Sequence, residues 1–275
     1  MKSLSGYLGA ALAAAVLFTA ASPAAAAAKC ANTSAGFQQW LTDFRREAAI
    51  KGLDGPAVQS ALAGVTYQEK TIWEDRHQRS FHLSLQQFMQ KRGAATIVAQ
   101  GKRLKSRNAA LFSGIERRFG VPAGPLIAIW GMETGFGSFM GNQQAIPALA
   151  TLTYDCRRSD FFRRELFAAL ELIQRGELSP DEMRSAGHGE LGQTQFMPTN
   201  YLLYAVDGDG DGRRDLIKSS ADALASTANY LRGHGWQPGA GYQPGEPNFA
   251  IIQSWNDASV YQQAIAIMGA EIDDD

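Results

Sequence analysis

The chain has 275 residues, 26 basic and 27 acidic, for a formal net charge of −1, with 45% hydrophobic residues and two cysteines. That balance gives no support to a nucleic-acid or membrane-surface role. The length suits one large domain, or a core with a smaller lobe, at roughly 100–200 residues per domain.

Lys2, an apolar stretch from Tyr7 to Ala21, then Ser22, Pro23 and a run of alanines read as an export signal. The apolar part is short for a membrane span, and small residues offer cleavage sites up to Ala28. Residues 1–28 are therefore expected to be removed, leaving a mature chain with no transmembrane segment. Lys29 immediately before Cys30 is wrong for a lipid-attachment motif. In an oxidising compartment Cys30 and Cys156 are expected to pair, which ties the mature N-terminus to the middle of the chain.

Phe37, Trp40, Leu41, Phe44 and Ala48 recur at helical spacing before Gly52. A short helix is expected after Asp54, with Pro56 in its first turn. From Thr66 to Arg92 the pattern weakens and supports no assignment. Thr96 to Phe119 reads as one long amphipathic helix, with Ile97, Leu104, Leu111, Ile115 and Phe119 inward and Lys102, Arg103, Lys105 and Arg107 outward. Gly120 and Pro122 end it.

The next segment, PLIAIWGMETGFGSFMG from Pro125 to Gly141, organises the chain. An apolar run that reads as a buried helix ends in Glu133, just before Gly135 and Gly137. Burial, the rings of Trp130 and Phe136, and the negative pole of the helix C-terminus all favour the protonated carboxyl. That is what a general acid requires.

Further helices are expected around Phe161–Ile173, Ala223–Leu231 and Tyr261–Met268. A glycine-rich loop from Pro180 leads into Gln193-Thr194-Gln195-Phe196-Met197-Pro198. Asp207, Asp209 and Asp211 with Gly212 form the first half of an EF-hand loop, and the Arg213 carbonyl falls at its seventh position. Lys218 occupies the twelfth, so Asp222 is the nearest carboxylate able to complete the shell. Asp273 to Asp275 read as a frayed tail. His77, His82, His188 and His234 show no ligand spacing, and no chemistry is assigned to them.

The blocks IAIWGMETGFGSFMG, GQTQFMP, YAVDGDGDGRRDL, ALASTANYLRGHGW and WNDASVY resemble, in order and spacing, the membrane-bound lytic transglycosylase B type family from about Gly120 to Met268. The resemblance implies a mainly α fold: a lysozyme-like core, related to goose-type lysozyme, over residues 120–275, preceded by a helical region over 29–119 and carrying a calcium loop at 207–222. It implies cleavage of the β-1,4 bond between N-acetylmuramic acid and N-acetylglucosamine in periplasmic peptidoglycan, leaving 1,6-anhydromuramic acid ends. Glu133 matches the catalytic acid. Gln195, Tyr230, Asn256 and Tyr261 match residues of the sugar cleft, and Ser138 is placed with them. Asp207, Asp209, Asp211, Arg213 and Asp222 match a structural Ca2+ site, with no catalytic cofactor.

The chain departs from the family before Gly192. There Ala186-Gly187-His188-Gly189-Glu190-Leu191 replaces a run close to Ser-Trp-Ala-Gly-Ala-Met, and Ser185 is one residue out of register for the family's serine. Phe136, Phe139 and Trp255 join Tyr230 as candidates for packing on sugar faces. Two rival readings stay open: a hydrolytic muramidase using Glu190 or Asp155 as a second carboxylate, and a non-catalytic peptidoglycan-binding scaffold. The transglycosylase reading leaves Glu190 dispensable.

Overall fold

In a computed structural model, residues 29–77 and 83–274 are described. The expected export signal at 1–28, and Phe81, His82 and Asp275, lie outside them. Thirteen helices and one two-stranded sheet make up the described residues, and none of the helices is long and apolar enough to cross a membrane.

The centre of the molecule is α7 (Ala123–Thr134), which carries apolar residues around its whole circumference and is buried accordingly. Gly135 ends it in the left-handed conformation at φ 57°, where its N–H and that of Phe136 return to carbonyls of the last turn. Two helices pack closely on α7. One is α5 (Ala94–Arg107) and the other is α13 (Ser259–Asp273). A Cβ at Gly124 would stand 2.1 Å from the Gly269 carbonyl oxygen, so the backbones of α7 and α13 meet where no side chain fits. Asp273 clamps the same contact by accepting from the Gly124 N–H at 2.8 Å and the Tyr242 hydroxyl at 2.8 Å. It is the last residue of α13 and not part of a frayed tail. Lys105, expected to face solvent, instead donates to the carbonyls of Ile272 and Asp273 at the end of α13.

Helix α1 (Phe37–Ile50) buries the five expected residues, and α2 (Pro56–Leu62) starts at its proline. The unassigned stretch contains α3 (Glu69–Arg76) and α4 (Leu85–Arg92). The expected long helix is two, α5 and α6 (Ala109–Phe119), broken at Asn108. The Asn108 side chain donates to the Leu104 carbonyl and so competes with the helical ladder.

Helices α8 (Ala145–Tyr154) and α9 (Ser159–Gln174) pack together, and α10 (Pro198–Tyr204) lies on α9. Strand β1 (Gln143–Gln144) pairs antiparallel with β2 (Arg184–Ser185), Gln143 opposite Ser185. Helix α11 (Ser220–Gly233) precedes the irregular segment 234–248. The chain then closes with α12 (Phe249–Trp255) and α13, separated at 256–258.

Cys30 and Cys156 are bonded, with their Cα atoms 5.0 Å apart. Beside the bond, the Ala31 N–H donates to the Tyr154 carbonyl. Tyr154 meets Phe37 and Tyr67 edge-on and Trp40 at a tilt, so the disulfide fastens the segment before α1 to the end of α8 beside an aromatic cluster.

Candidate active site

Glu133 stands at the floor of a cavity of about 380 Å³, lined by Arg92, Ala186, Glu190, Gln195, Phe196, Met197, Asn200, Tyr230, Trp255 and Asn256 together with Glu133. Each wall comes from a different part of the chain. Arg92 ends α4, Ala186 to Met197 form the loop after β2, Tyr230 sits on α11, and Trp255 ends α12.

Two donors converge on one oxygen of the acid. The Tyr261 hydroxyl donates to Glu133 Oε1 at 2.6 Å and the Trp255 indole N–H donates to the same atom at 3.0 Å. Tyr261 is carried there by α13, whose close contact with α7 fixes the two helices in register. With Oε1 so occupied, Oε2 is the oxygen left to carry a proton. Burial pushes the Glu133 carboxyl above the usual carboxylate range, against the lowering effect of the Tyr261 and Trp255 hydrogen bonds and the Arg92 charge; the Glu190 charge adds to the rise.

The QTQ turn is stitched to the helices behind it. Leu191 and Phe196 exchange backbone hydrogen bonds, and Gln195 closes the turn at φ 55°. Gln193 accepts from the Trp130 indole at 3.1 Å, and its carbonyl accepts from the Thr134 hydroxyl at 2.6 Å. Thus Trp130, expected beside the acid, instead holds the turn and packs edge-on against Phe136. Ser185 is fully buried and its hydroxyl accepts from the N–H groups of Gly187 and Gly189, so it shapes the loop and does not face the cavity.

Of the expected cleft residues, Gln195, Tyr230 and Asn256 line the cavity. Tyr230 donates to the Ser254 carbonyl and meets Trp255 and Phe196 edge to face, which gives the cavity an aromatic wall. Tyr261 lies behind the acid. Ser138 donates to the Thr134 carbonyl at 3.0 Å and is not in the lining, nor are Phe136 and Phe139. Asp155 is consumed by an ion pair with Arg76 and the Arg157 N–H, away from the cavity. Glu190 does line it, joined to His188 at 3.4 Å. Arg92 and His188 escaped the sequence reading, because Glu133 and Asp75, which they face, are distant from them in the chain.

In the acidic loop, Asp207, Asp209 and Asp211 bring carboxylate oxygens within 4.8 Å of one another. Arg213 follows with its N–H on Asp211. Asp222 is outside this group of three: it is buried, and its oxygens accept from the N–H groups of Gly208 and Asp215. Burial raises its carboxyl, and the charges of Asp209 and Asp207 push the same way. Lys218 turns away to pair with Glu182.

The chain belongs to the family described as the transglycosylase SLT domain, whose model matches residues 36–245. It is similar to membrane-bound lytic murein transglycosylase B of Escherichia coli K12, 38% identical over 138 residues; the match covers 47% of this chain and 38% of that relative. Its structure is similar to that of SltB3 from Pseudomonas aeruginosa in complex with NAG-NAM-pentapeptide, with a TM-score of 0.80 and 30% identity over 87% of this chain and 80% of that one. Slt35 of Escherichia coli in complex with calcium shares the fold, at a TM-score of 0.73 and 24% identity over 86% of this chain and 92% of that one. The helical core is thus that of the lysozyme-like transglycosylases.

Proposed function

We propose that the protein is a lytic murein transglycosylase that breaks the β-1,4 bond between N-acetylmuramic acid and N-acetylglucosamine in glycan strands, with Glu133 as its single acid and base. The observation that carries this reading is a carboxyl held toward its protonated form, with one oxygen fixed by Tyr261 and Trp255, at the floor of an aromatic-walled cavity. It is supported by the SltB3 structures, whose ligands are NAG-NAM-pentapeptide and NAG-anhNAM-pentapeptide.

In the reaction, Oε2 gives its proton to the oxygen of the leaving N-acetylglucosamine as the glycosidic bond breaks. The muramic C6 hydroxyl then attacks its own anomeric carbon, and the Glu133 carboxylate takes the hydroxyl proton. An intramolecular nucleophile has a high effective molarity, so no water needs activation. The Tyr261 and Trp255 donors stabilise the carboxylate once the proton has left. Gln195, Asn256 and the Tyr230–Trp255 wall hold the sugars. Release of soluble muropeptides from purified sacculi tests the reading, and a wild-type protein that releases none overturns it in favour of a scaffold. Hydrolysis is the second reading, because Glu190 shares the cavity.

The same reading places the protein in the periplasm after removal of residues 1–28, with 29–119 as a helical region that completes the 120–275 core. The acidic loop takes calcium: Asp207, Asp209 and Asp211 supply clustered hard oxygens, Arg213 its carbonyl, and Asp222 a further carboxylate after exchanging a backbone hydrogen bond for the ion. Its role is structural, at the entry to α11. Calcium is expected to raise the melting temperature, and Asp209→Ala with Asp211→Ala to abolish the rise. Identical melting curves with calcium and with chelator would rule the site out.

A further inference from the structure

Glu190 does not stand in the cavity alone. Behind it runs a ladder of alternating charge that reaches α3 and the residues beside the disulfide. Asp75, buried on α3, pairs with Arg157 and Arg158. His188 lies 3.7 Å from Asp75 through Nε2 and 3.4 Å from Glu190 through Nδ1. The His188 backbone N–H adds a hydrogen bond of 3.1 Å to Glu190 Oε2.

The loop bearing this ladder is closely held. The Ser185 hydroxyl accepts two of its N–H groups, and a Cβ at Gly189 would stand 2.3 Å from Leu149, so the loop lies flat against α8. A carboxylate needed only for structure would end inside such a network. Glu190 instead keeps 24% of its side chain exposed and lines the same cavity as Glu133.

Resting on the transglycosylase reading of the site, we propose that Glu190, positioned by His188 and Asp75, is the fixed negative charge that stabilises the positive charge developing on the muramic ring as the glycosidic bond breaks. Glycoside cleavage passes through an oxocarbenium-like transition state, and a preoriented charge in a partly dehydrated cavity acts on it strongly. Of the ionisable residues lining the cavity, Arg92 has the wrong sign, Tyr230 is held neutral by burial and Glu133 is the proton donor. Glu190 forms no bond and moves no proton.

The electrostatics agree. Burial works to raise the Glu190 carboxyl, but its hydrogen bond to His188 and the His188 charge outweigh it and hold the group below its ordinary value. Burial works to lower His188, and Glu190 and Asp75 outweigh that and raise it, against Arg158. Glu133, facing Tyr261, Arg92 and Glu190, is raised. The two carboxyl groups are driven apart, one toward ionised and one toward protonated. On this proposal Glu190 is needed for the reaction, where the resemblance alone leaves it dispensable.

The test is steady-state kinetics and product analysis on soluble glycan oligomers with the full mature protein. Glu190→Gln is expected to lower kcat by ~10²-fold, the scale of removing one preoriented electrostatic partner, with little change in KM and an unchanged melting temperature. Loss of the neighbouring anion lets Glu133 ionise more readily, so the basic limb of the pH–kcat/KM profile moves to lower pH. His188→Gln removes the cation that keeps Glu190 ionised, so this variant loses activity at acidic pH where the wild type retains it. Products remain 1,6-anhydro in both variants.

A Glu190→Gln enzyme within threefold of wild-type kcat, with its basic limb unmoved, overturns the inference. So does a loss of activity that follows a loss of folded protein. With anhydro products from the wild type, those results sink this inference alone; reducing ends from the wild type sink the reading beneath it.

Discussion

Glu133→Gln is expected to abolish nearly all glycan cleavage, lowering it by at least the ~10²–10⁴-fold typical of general acid catalysis, while leaving the fold intact. The amide oxygen of glutamine still accepts from Tyr261 and Trp255, so α7, α12 and α13 keep their contacts at the cavity floor. What is lost is the proton on Oε2. The wild-type enzyme must hold that proton, so its activity falls as pH rises through the raised Glu133 value.

Stability carries the same signature. A carboxyl whose folded value lies above its unfolded one contributes stability at low pH, and that contribution is lost as pH rises through the folded value. Glutamine has no proton to lose there. The variant is therefore expected to keep its melting temperature at alkaline pH better than the wild type. Activity within tenfold of wild type, or melting curves with the same pH dependence, would count against Glu133 as the buried acid.

The second large effect concerns the disulfide. Cys30 and Cys156 are separated by 126 residues, and closing a loop of that size stabilises by up to ~5 kcal/mol in the chain-entropy model. Cys30→Ser with Cys156→Ser is expected to lower the unfolding free energy by most of that amount, read as a lower denaturant midpoint. The loss should be felt where the bond lies, in the aromatic cluster of Phe37, Trp40 and Tyr154 and the paired arginines at 157 and 158. Thiol labelling of the unfolded, unreduced wild type should find no reactive cysteine. Two labelled thiols, or an unchanged midpoint in the double variant, would show that the bond does not form.

The elements legible in sequence were those whose burial pattern is their own. Helix α1 shows its five inward residues at regular spacing, and α7 announces itself by an apolar run closed by Gly135. Asn108 interrupts α5–α6 without interrupting the apolar spacing, because the break comes from a side-chain hydrogen bond. Helix α3 shows no apolar stripe of its own, since Trp73, its one large ring, is 62% exposed. Helix α4 did carry a readable signal, the reciprocal Ser84–Gln87 capping box.

The site divides the same way. Glu133 is conspicuous because a carboxyl follows an apolar helix, whereas Tyr261, 128 residues later, touches it only through the packing of α13 on α7. Resemblance to a family, not periodicity, brought Tyr261, Asn256 and Gln195 into view. His188 looked solitary because Asp75 lies far away in sequence, and Glu190, two residues on, read as a second carboxylate and not as a partner of the imidazole. Gln195 needs a left-handed backbone at φ 55° to close its turn, and nothing in a glutamine signals that.

The central claim is that Glu133 completes the reaction with the substrate's own hydroxyl and not with water, and the mass of the released muropeptides tests it most directly. Digestion of purified sacculi by the wild-type protein, followed by mass spectrometry, is predicted to yield fragments ending in 1,6-anhydromuramic acid. These are lighter than the corresponding reducing sugars by the mass of one water. Fragments ending in reducing N-acetylmuramic acid would contradict the account and mark the enzyme as a two-carboxylate muramidase.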